Sequence, residues 1–350
     1  MHKRSSTLAL LPVHRGFEAF DYRTGAQFEC SVALVEFLST LDDWTDTASL
    51  EWRASDLLGC EADASLATLL ELGVLIHRGS AEAADEDQYL QQWQFGPSTG
   101  IFHQSVSDRP ITPIADQIDY QIEKSRTEPS PRLFYEPEAD ARTVRLPDPR
   151  IDRGLYPYLE RRRTHREGVT FDLELETLAD ILYAGLGVTD WTVNRAQQRL
   201  PLRYAPSGGA RNPYDAYVFV YRAVELDCGV YRYSGVRHSL TQQEDSVVLP
   251  RPSELLGGQE WADCASALIV LVANFPRSMW KYAGDDNAYR VILIEAGHIA
   301  QNAMLMAASA GIAACPSAAL NHEAIAKAAN LVRYEQAPIY AMALTKPAQA

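Results

Sequence analysis

Three short clusters in this 350-residue chain carry side chains suited to chemistry. The first is Lys281-Tyr282, within Met279-Trp-Lys-Tyr-Ala-Gly-Asp-Asp-Asn-Ala-Tyr-Arg290. A free phenol ionises near pH ~10, too high for a base at neutrality, and an adjacent ammonium favours its anion. A Lys-Tyr pair can therefore supply a general base. Which of the two takes the proton stays open, and the plain alternative is a lysine stem lying beside a half-buried tyrosine. The second cluster is Tyr158-Leu-Glu-Arg-Arg-Arg-Thr-His-Arg166, with four arginines in six positions. A solvated helix end is the plain reading. In an acidic chain, however, so compact a basic group suits an anion such as phosphate, which arginine binds through a planar fork of donors. The third is Pro206-Ser-Gly-Gly-Ala-Arg-Asn-Pro213, a loop whose backbone can approach a ligand closely. Its spacing fits neither a dinucleotide fingerprint nor a P-loop.

These clusters need elements to hold them. Val291–Gly311 carries Ile292, Glu295, Ile299, Asn302, Leu305 and Met306 at steps of three and four, which predicts a buried amphipathic helix stopped by Gly311. Lys281-Tyr282 is then expected on an irregular lead-in to that helix, where a rigid scaffold supports functional loops. Phe171–Gly187 repeats the helical pattern with Leu175, Leu178, Ile181 and Leu182. Asp215–Tyr221 and Gly229–Tyr233 read as strands, with a hairpin turning at Ser234-Gly235. The unbroken apolar run Ala267–Ala273 predicts a central strand, and Ala337–Thr345 a last one. The C-terminal part is thus α+β, with helices around a sheet.

Residues 1–110 form a separate predicted unit. Ser31–Leu41, a short helix opening at Ala54, Ala64–Leu72 and the strand Val74–Gly79 give the order helix, helix, helix, strand. That is the order of a winged-helix unit, with a plain helical cap as the alternative. The unit holds seven basic and seventeen acidic residues, net −10. A phosphate-binding face needs the opposite sign, so a peptide or another domain is the expected partner and nucleic acid is not. Trp93–His103 alternates aromatic and small residues and reads as an extended segment between the units, with His103 a packing histidine. Residues 111–150 read as a proline-rich linker or arm, with Pro129, Pro131, Pro137, Pro147 and Pro149. The remainder, 151–350, is the larger domain.

Composition narrows the function classes. The chain is 47% hydrophobic and 22% charged, with formal net charge −14, which disfavours nucleic acid and anionic membranes. The apolar run Leu8–Val13 is too short for a signal peptide, and no stretch is expected to match a membrane span. Five cysteines, none within four residues of another, suggest reduced thiols in a cytoplasmic setting and no metal site.

Taken together, Arg162-Arg-Thr-His-Arg166, Pro206–Pro213, Lys281-Tyr282 and Glu295-Ala-Gly-His-Ile-Ala-Gln-Asn302 resemble the SagB-type dehydrogenases. These belong to the FMN-dependent nitroreductase superfamily and mature thiazole- and oxazole-containing peptides. The resemblance covers roughly residues 145–350, with Thr164 where relatives carry serine and Cys315–Ala319 where they are richer in glycine. It implies an α+β fold: a nitroreductase-like FMN domain, with a central antiparallel-type mixed sheet flanked by helices, behind an N-terminal winged-helix-like domain. It also implies a homodimer with flavin at the interface. Arg162, Thr164 and Arg166 would clamp the FMN phosphate, with Arg163 facing the same pocket or solvated. Ser207, Gly208 and Gly209 would lie against the flavin edge, Arg211 and Asn212 would make polar contacts to flavin or substrate, and backbone at Ala318 and Ala319 would approach the ring. Lys281 and Tyr282 would be catalytic. The implied reaction oxidises azoline rings of a modified precursor peptide to azoles, with a cyclodehydratase as a candidate partner. The rival readings are a flavin oxidoreductase acting on other peptide residues or on nitro or quinone substrates with NAD(P)H, and a non-catalytic scaffold.

Overall fold

The computed structural model describes residues 1–14, 16–107, 114–127, 154–193, 199–243, 249–282 and 287–348. The chain opens with β1 (His2–Arg4) and a three-stranded antiparallel meander, β2 (Leu8–Val13), β3 (Gly16–Asp21) and β4 (Ala26–Cys30). Then come α1 (Val32–Ser39), α2 (Thr47–Leu58), α3 (Ala62–Glu71) and β5 (Leu75–His77), which pairs antiparallel with β1. The expected order of three helices and a strand is present, but four strands precede it. Side chains set the boundaries: Ser31 accepts from Leu34 N to cap α1, and Asp46 accepts from Ser49 N to start α2. Ala54 therefore lies near the end of α2 rather than at its opening.

Next are α4 (Ala81–Gln92) and α5 (Pro97–Val106). The expected extended segment at Trp93–His103 is mostly this second helix, begun by Pro97 at its first turn. Its packing role holds. Trp93 lies 5.4 Å from the Phe275 ring, and His103 Nδ1 hydrogen-bonds the Tyr289 hydroxyl. Phe20, Tyr22, Tyr89, Trp93 and Phe95 share one buried cluster with Phe275 and Tyr289, which joins the N-terminal residues to the larger domain. Asp85 reinforces the junction by receiving Arg23, Arg333 and the Tyr334 hydroxyl. Within the expected linker, Ile114–Thr127 is a helix, α6, while the prolines of 129–149 lie outside the described residues.

The larger domain runs α7 (Tyr156–Arg161), β6 (Gly168–Val169), α8 (Leu175–Leu186), the hairpin β7 (Asp190–Val193) and β8 (Arg199–Leu202), β9 (Tyr214–Val220), β10 (Gly229–Ser234), β11 (Ser239–Gln242), α9 (Pro252–Leu255), β12 (Ala267–Asn274), α10 (Phe275–Tyr282), α11 (Asn287–Ser309), β13 (Ala313–Ser317), α12 (His322–Ala328) and β14 (Gln336–Pro347). The sheet order is β11-β10-β9-β12-β14-β13, with β6 on the end of β14 and every ladder antiparallel. An isolated parallel bridge joins Leu173 and Ala223. Strands β9 and β12 are buried on both faces, so apart from Asp215 near the start of β9 and Asn274 at the end of β12 they read as apolar runs.

Helix α11 packs across one face of this sheet beside α8, and the Tyr214 hydroxyl ties β9 to it at the Ile292 carbonyl, 2.8 Å away. Its buried stripe is Ile292, Glu295, Ala296, Ile299, Ala300, Ala303, Met304, Ala307 and Ala308, largely alanine. Asn302 and Leu305 are only half-buried and Met306 is exposed, so the stripe turns away from those three expected positions. At 23 residues and mean hydropathy 1.3, α11 is long and apolar enough to cross a membrane, contrary to the sequence expectation. Half of that apolar stretch is buried within the fold, as in the core helix of a globular domain.

Candidate functional site

Lys281 and Tyr282 end α10 instead of sitting on an irregular lead-in. Phe275, Ser278 and Met279 bury one side of that helix, which leaves Lys281 exposed and Tyr282 half-buried at its last turn. Consecutive helical side chains diverge less than consecutive strand side chains, so the two can share a face. Lys281 Nζ lies over the Tyr282 ring at 5.1 Å from its centroid. Both polar ends converge on Gly209. A Cβ there would stand 2.6 Å from Tyr282 Oη and closer still to Lys281 Nζ.

The loop carrying Gly209 is braced from several directions. Gly209, Ala210 and Asn212 all have positive φ, at 61°, 51° and 47°. For alanine this region is costly, and such outliers gather at functional sites. Ser207 Oγ accepts from Asn212 N at 2.9 Å, and Asn212 Nδ2 donates to the carbonyls of Pro201 and Ala210. Glu295, buried on α11, accepts from Gly208 N at 2.7 Å. Burial pushes the Glu295 carboxyl up, opposed by the Gly208 N–H and the Ser207 hydroxyl. A Cβ at Gly208 would come within 2.8 Å of Val291 Cγ1. The polar groups of Arg211 and Asn212 are engaged within the protein. Arg211 Nε donates to the Arg277 carbonyl at 2.8 Å and its guanidinium lies over the Trp280 ring, while Asn212 is 6% exposed.

The arginine cluster lies elsewhere. Arg162 leaves the end of α7 in extended conformation, and Arg161, Arg162, Arg163 and His165 line a cleft of about 140 Å³ against Met304, Ala308 and Ala313. Arg163 Nη1 donates to the carbonyls of Leu159 and Arg162. Thr164 and Arg166 are exposed. Arg166 is near enough to Cys315 for its charge to oppose the rise that burial imposes on that thiol. From this cleft β13 leads to Ala318, exposed, and Ala319, whose N–H donates to Ser317 Oγ at 3.1 Å. The chain thus brings Ser207–Gly209 together with Lys281 and Tyr282, and Arg162–Arg166 together with β13. The two groups are apart. Glu295 touches the first and Ala308 the second, thirteen positions along α11, roughly 20 Å at the rise of a helix.

Sequence reasoning missed Glu295 as the anchor of the glycine loop and Arg161 as a wall of the cleft. An acidic residue on the buried stripe of α11 is a signal that could have found Glu295, because buried carboxylates need partners.

Residues 159–346 match the nitroreductase family (Nitroreductase). The chain belongs to that family. As a nitroreductase-family member it is an oxidoreductase, and proteins of this family typically use flavin. A Methanocaldococcus jannaschii protein described as a nitroreductase, MJ1384, is 33% identical over 173 residues, 49% of this chain and 82% of that one. The trifolitoxin-processing protein TfxB of Rhizobium leguminosarum bv. trifolii is 32% identical over 154 residues, and the match spans 40% of this chain but only 39% of TfxB. Among solved structures, a Ralstonia eutropha JMP134 protein described as a nitroreductase matches with TM-score 0.46 and 28% identity, covering 59% of this nitroreductase-family chain and 90% of that one. A chain of the E. coli microcin synthetase McbBCD complex matches with TM-score 0.48 and 19% identity, covering 76% and 93%.

Proposed function

We propose that this protein is a SagB-type dehydrogenase, an FMN-dependent enzyme that oxidises azoline rings in a ribosomally made peptide to azoles. The observation that carries the reading is the convergence of Lys281 Nζ and Tyr282 Oη at Gly209, on a loop anchored by Glu295. The motif resemblance described above and the likeness to a protein named for trifolitoxin processing support it. The donor set suits FMN: guanidinium groups around a small cleft for a phosphate, and a Gly-Gly backbone where side chains would clash. Bound there, FMN supplies the hydride acceptor.

The chain's own residues do the rest. Arg162, Arg163 and Arg166, with Thr164, hold the phosphate. Backbone at Ala318 and Ala319 borders the ring. Lys281 and Tyr282 take the Cα proton of the azoline, while its hydride leaves from the neighbouring carbon. Because the arginine cleft and the Gly209 loop lie at opposite ends of α11, the complete site is formed between two copies of the chain. The exposed apolar residues Val291 and Ile294 of α11, with Leu155, Tyr156 and Leu159 around α7, suit that contact. The N-terminal residues, net −10, bind the precursor peptide or a cyclodehydratase.

The test is mass spectrometry of a cyclised precursor peptide before and after incubation, since each oxidised ring loses two hydrogens. Tyr282→Phe and Lys281→Ala should keep FMN and lose roughly 10²–10⁴-fold in rate per bound flavin. The double variant should be little worse than the poorer single, as for residues acting as a unit. Unchanged peptide mass alongside rapid NAD(P)H-driven reduction of nitro or quinone compounds would replace this reading with the broader oxidoreductase one.

A further inference from the structure

A second cavity, of about 660 Å³, borders the same loop. Ala210, Arg211 and Asn212 line it, whereas Gly209, Lys281 and Tyr282 do not. The β7–β8 and β10–β11 hairpins and the start of β9 form its walls. Four arginines reach it, Arg203, Arg211, Arg232 and Arg277, against one carboxylate among the described lining residues, Asp215. Asp215 already receives Arg232 at 2.8 Å and Arg277 at 2.9 Å. Among the described lining residues positive side chains therefore outnumber negative ones by three, in a chain whose formal net charge is −14.

Arg203 is the most exposing of these charges to a missing partner. Its Nη1 donates to the Tyr214 carbonyl at 3.3 Å, but its buried Nε has no hydrogen bond and no carboxylate lies within ion-pair distance among the described residues. Burial, with the nearby positive Arg277, pushes this guanidinium down to about 10. Asp215 and Glu295 support this charge without pairing with it directly, and an oxyanion facing several guanidinium forks would hold it further.

We infer that this cavity binds a small polyanion, a ligand or part of a substrate that carries two or more phosphate or carboxylate groups. Its volume falls within the ~300–1,000 Å³ usual for small-molecule sites. The site is separate from the arginine cleft beside α7, which shares none of its lining residues. An occupant touches Ala210–Asn212 and thus the backbone that holds Gly209 against Lys281 and Tyr282. The inference does not depend on azoline oxidation, because its test reads binding alone.

The experiment is isothermal titration of the full-length, flavin-loaded protein with pyrophosphate and with citrate at constant ionic strength. Saturable binding of at least one is expected, and the tighter of the two identifies phosphate or carboxylate as the preferred group. Arg203→Gln and Arg232→Gln should each weaken binding at least tenfold, while a change at exposed Arg78, Arg78→Ala, which lines neither cavity, leaves it unchanged. The Arg232 side chain is 43% exposed, so that variant carries the test if Arg203→Gln does not fold. No binding of either anion, binding indifferent to the Arg203 and Arg232 changes, or equal weakening by Arg78→Ala would overturn the inference.

Discussion

Replacing Gly209 by alanine tests the geometry of the proposed catalytic pair most directly. The backbone there sits at φ 61°, where a Cβ crowds the following carbonyl oxygen at a cost of roughly 1–2 kcal/mol. A second cost comes from position, because the new methyl would lie 2.6 Å from Tyr282 Oη and nearer to Lys281 Nζ. Lys281 is exposed and can swing aside cheaply. Tyr282 packs against the main core cluster, so it yields only by displacing its neighbours or by moving the loop. We expect a loss of about 2 kcal/mol in stability, within the ordinary range for a single substitution, and a folded, flavin-retaining protein. Turnover should fall much further, by about 10²-fold per bound flavin, because an ångström of misplacement at a reacting group costs that much. Ala210→Gly is the matched control. Its φ of 51° already strains a side chain, so glycine should stabilise by about 1 kcal/mol. Denaturant titration gives the stabilities, and single-turnover azoline oxidation normalised to flavin gives the rates. A Gly209→Ala protein oxidising its peptide at nearly the parental rate per flavin would refute a role for this convergence point.

Two further outcomes follow from the arginine cleft and the core. Arg162→Ala and Arg166→Ala should purify with little FMN and bind it weakly on titration, and heat-released cofactor from the parent should chromatograph as FMN without FAD; unaltered FMN affinity in both variants would mark the cluster as a solvated helix end. Burial holds His103 at about 3, against an ordinary 6.5. Between those values the unfolded chain takes up a proton that the folded chain refuses, so stability should fall as pH drops from 6.5 towards 3. His103→Gln should show a shallower fall in urea denaturation over that range, and identical slopes would assign acid unfolding to other groups.

The large domain was legible because its strongest signals are long. The strands β9, β12 and β14 are buried through most of their length, and α8 shows its leucine stripe plainly. The strands of residues 1–30 were not, because they are three to six residues long and only partly buried, so no face accumulates a pattern. At α5 the aromatics of Trp93–His103 suggested extended chain, while Gly96 followed by Pro97 is a helix start. The same competition misread Lys281-Tyr282: Phe275, Ser278 and Met279 already fix a helix over which the pair is the last turn. The pairing of that turn with Gly209 joins residues more than seventy positions apart, and no local spacing encodes it. Arg203 gave no signal at all, because its significance lies in the carboxylate it lacks.

The separation of the two residue groups along α11 has a genetic consequence for the proposed dimer. In that dimer each complete site would draw its phosphate clamp from one subunit and its Gly209, Lys281 and Tyr282 from the other. A chain lacking Arg166 and a chain lacking Tyr282 would each be inactive as homodimers. Joined as a heterodimer, they would gather both lesions into one site and leave the second wholly intact. Two null alleles of this protein would then complement each other within one cell, with working sites confined to the mixed dimers.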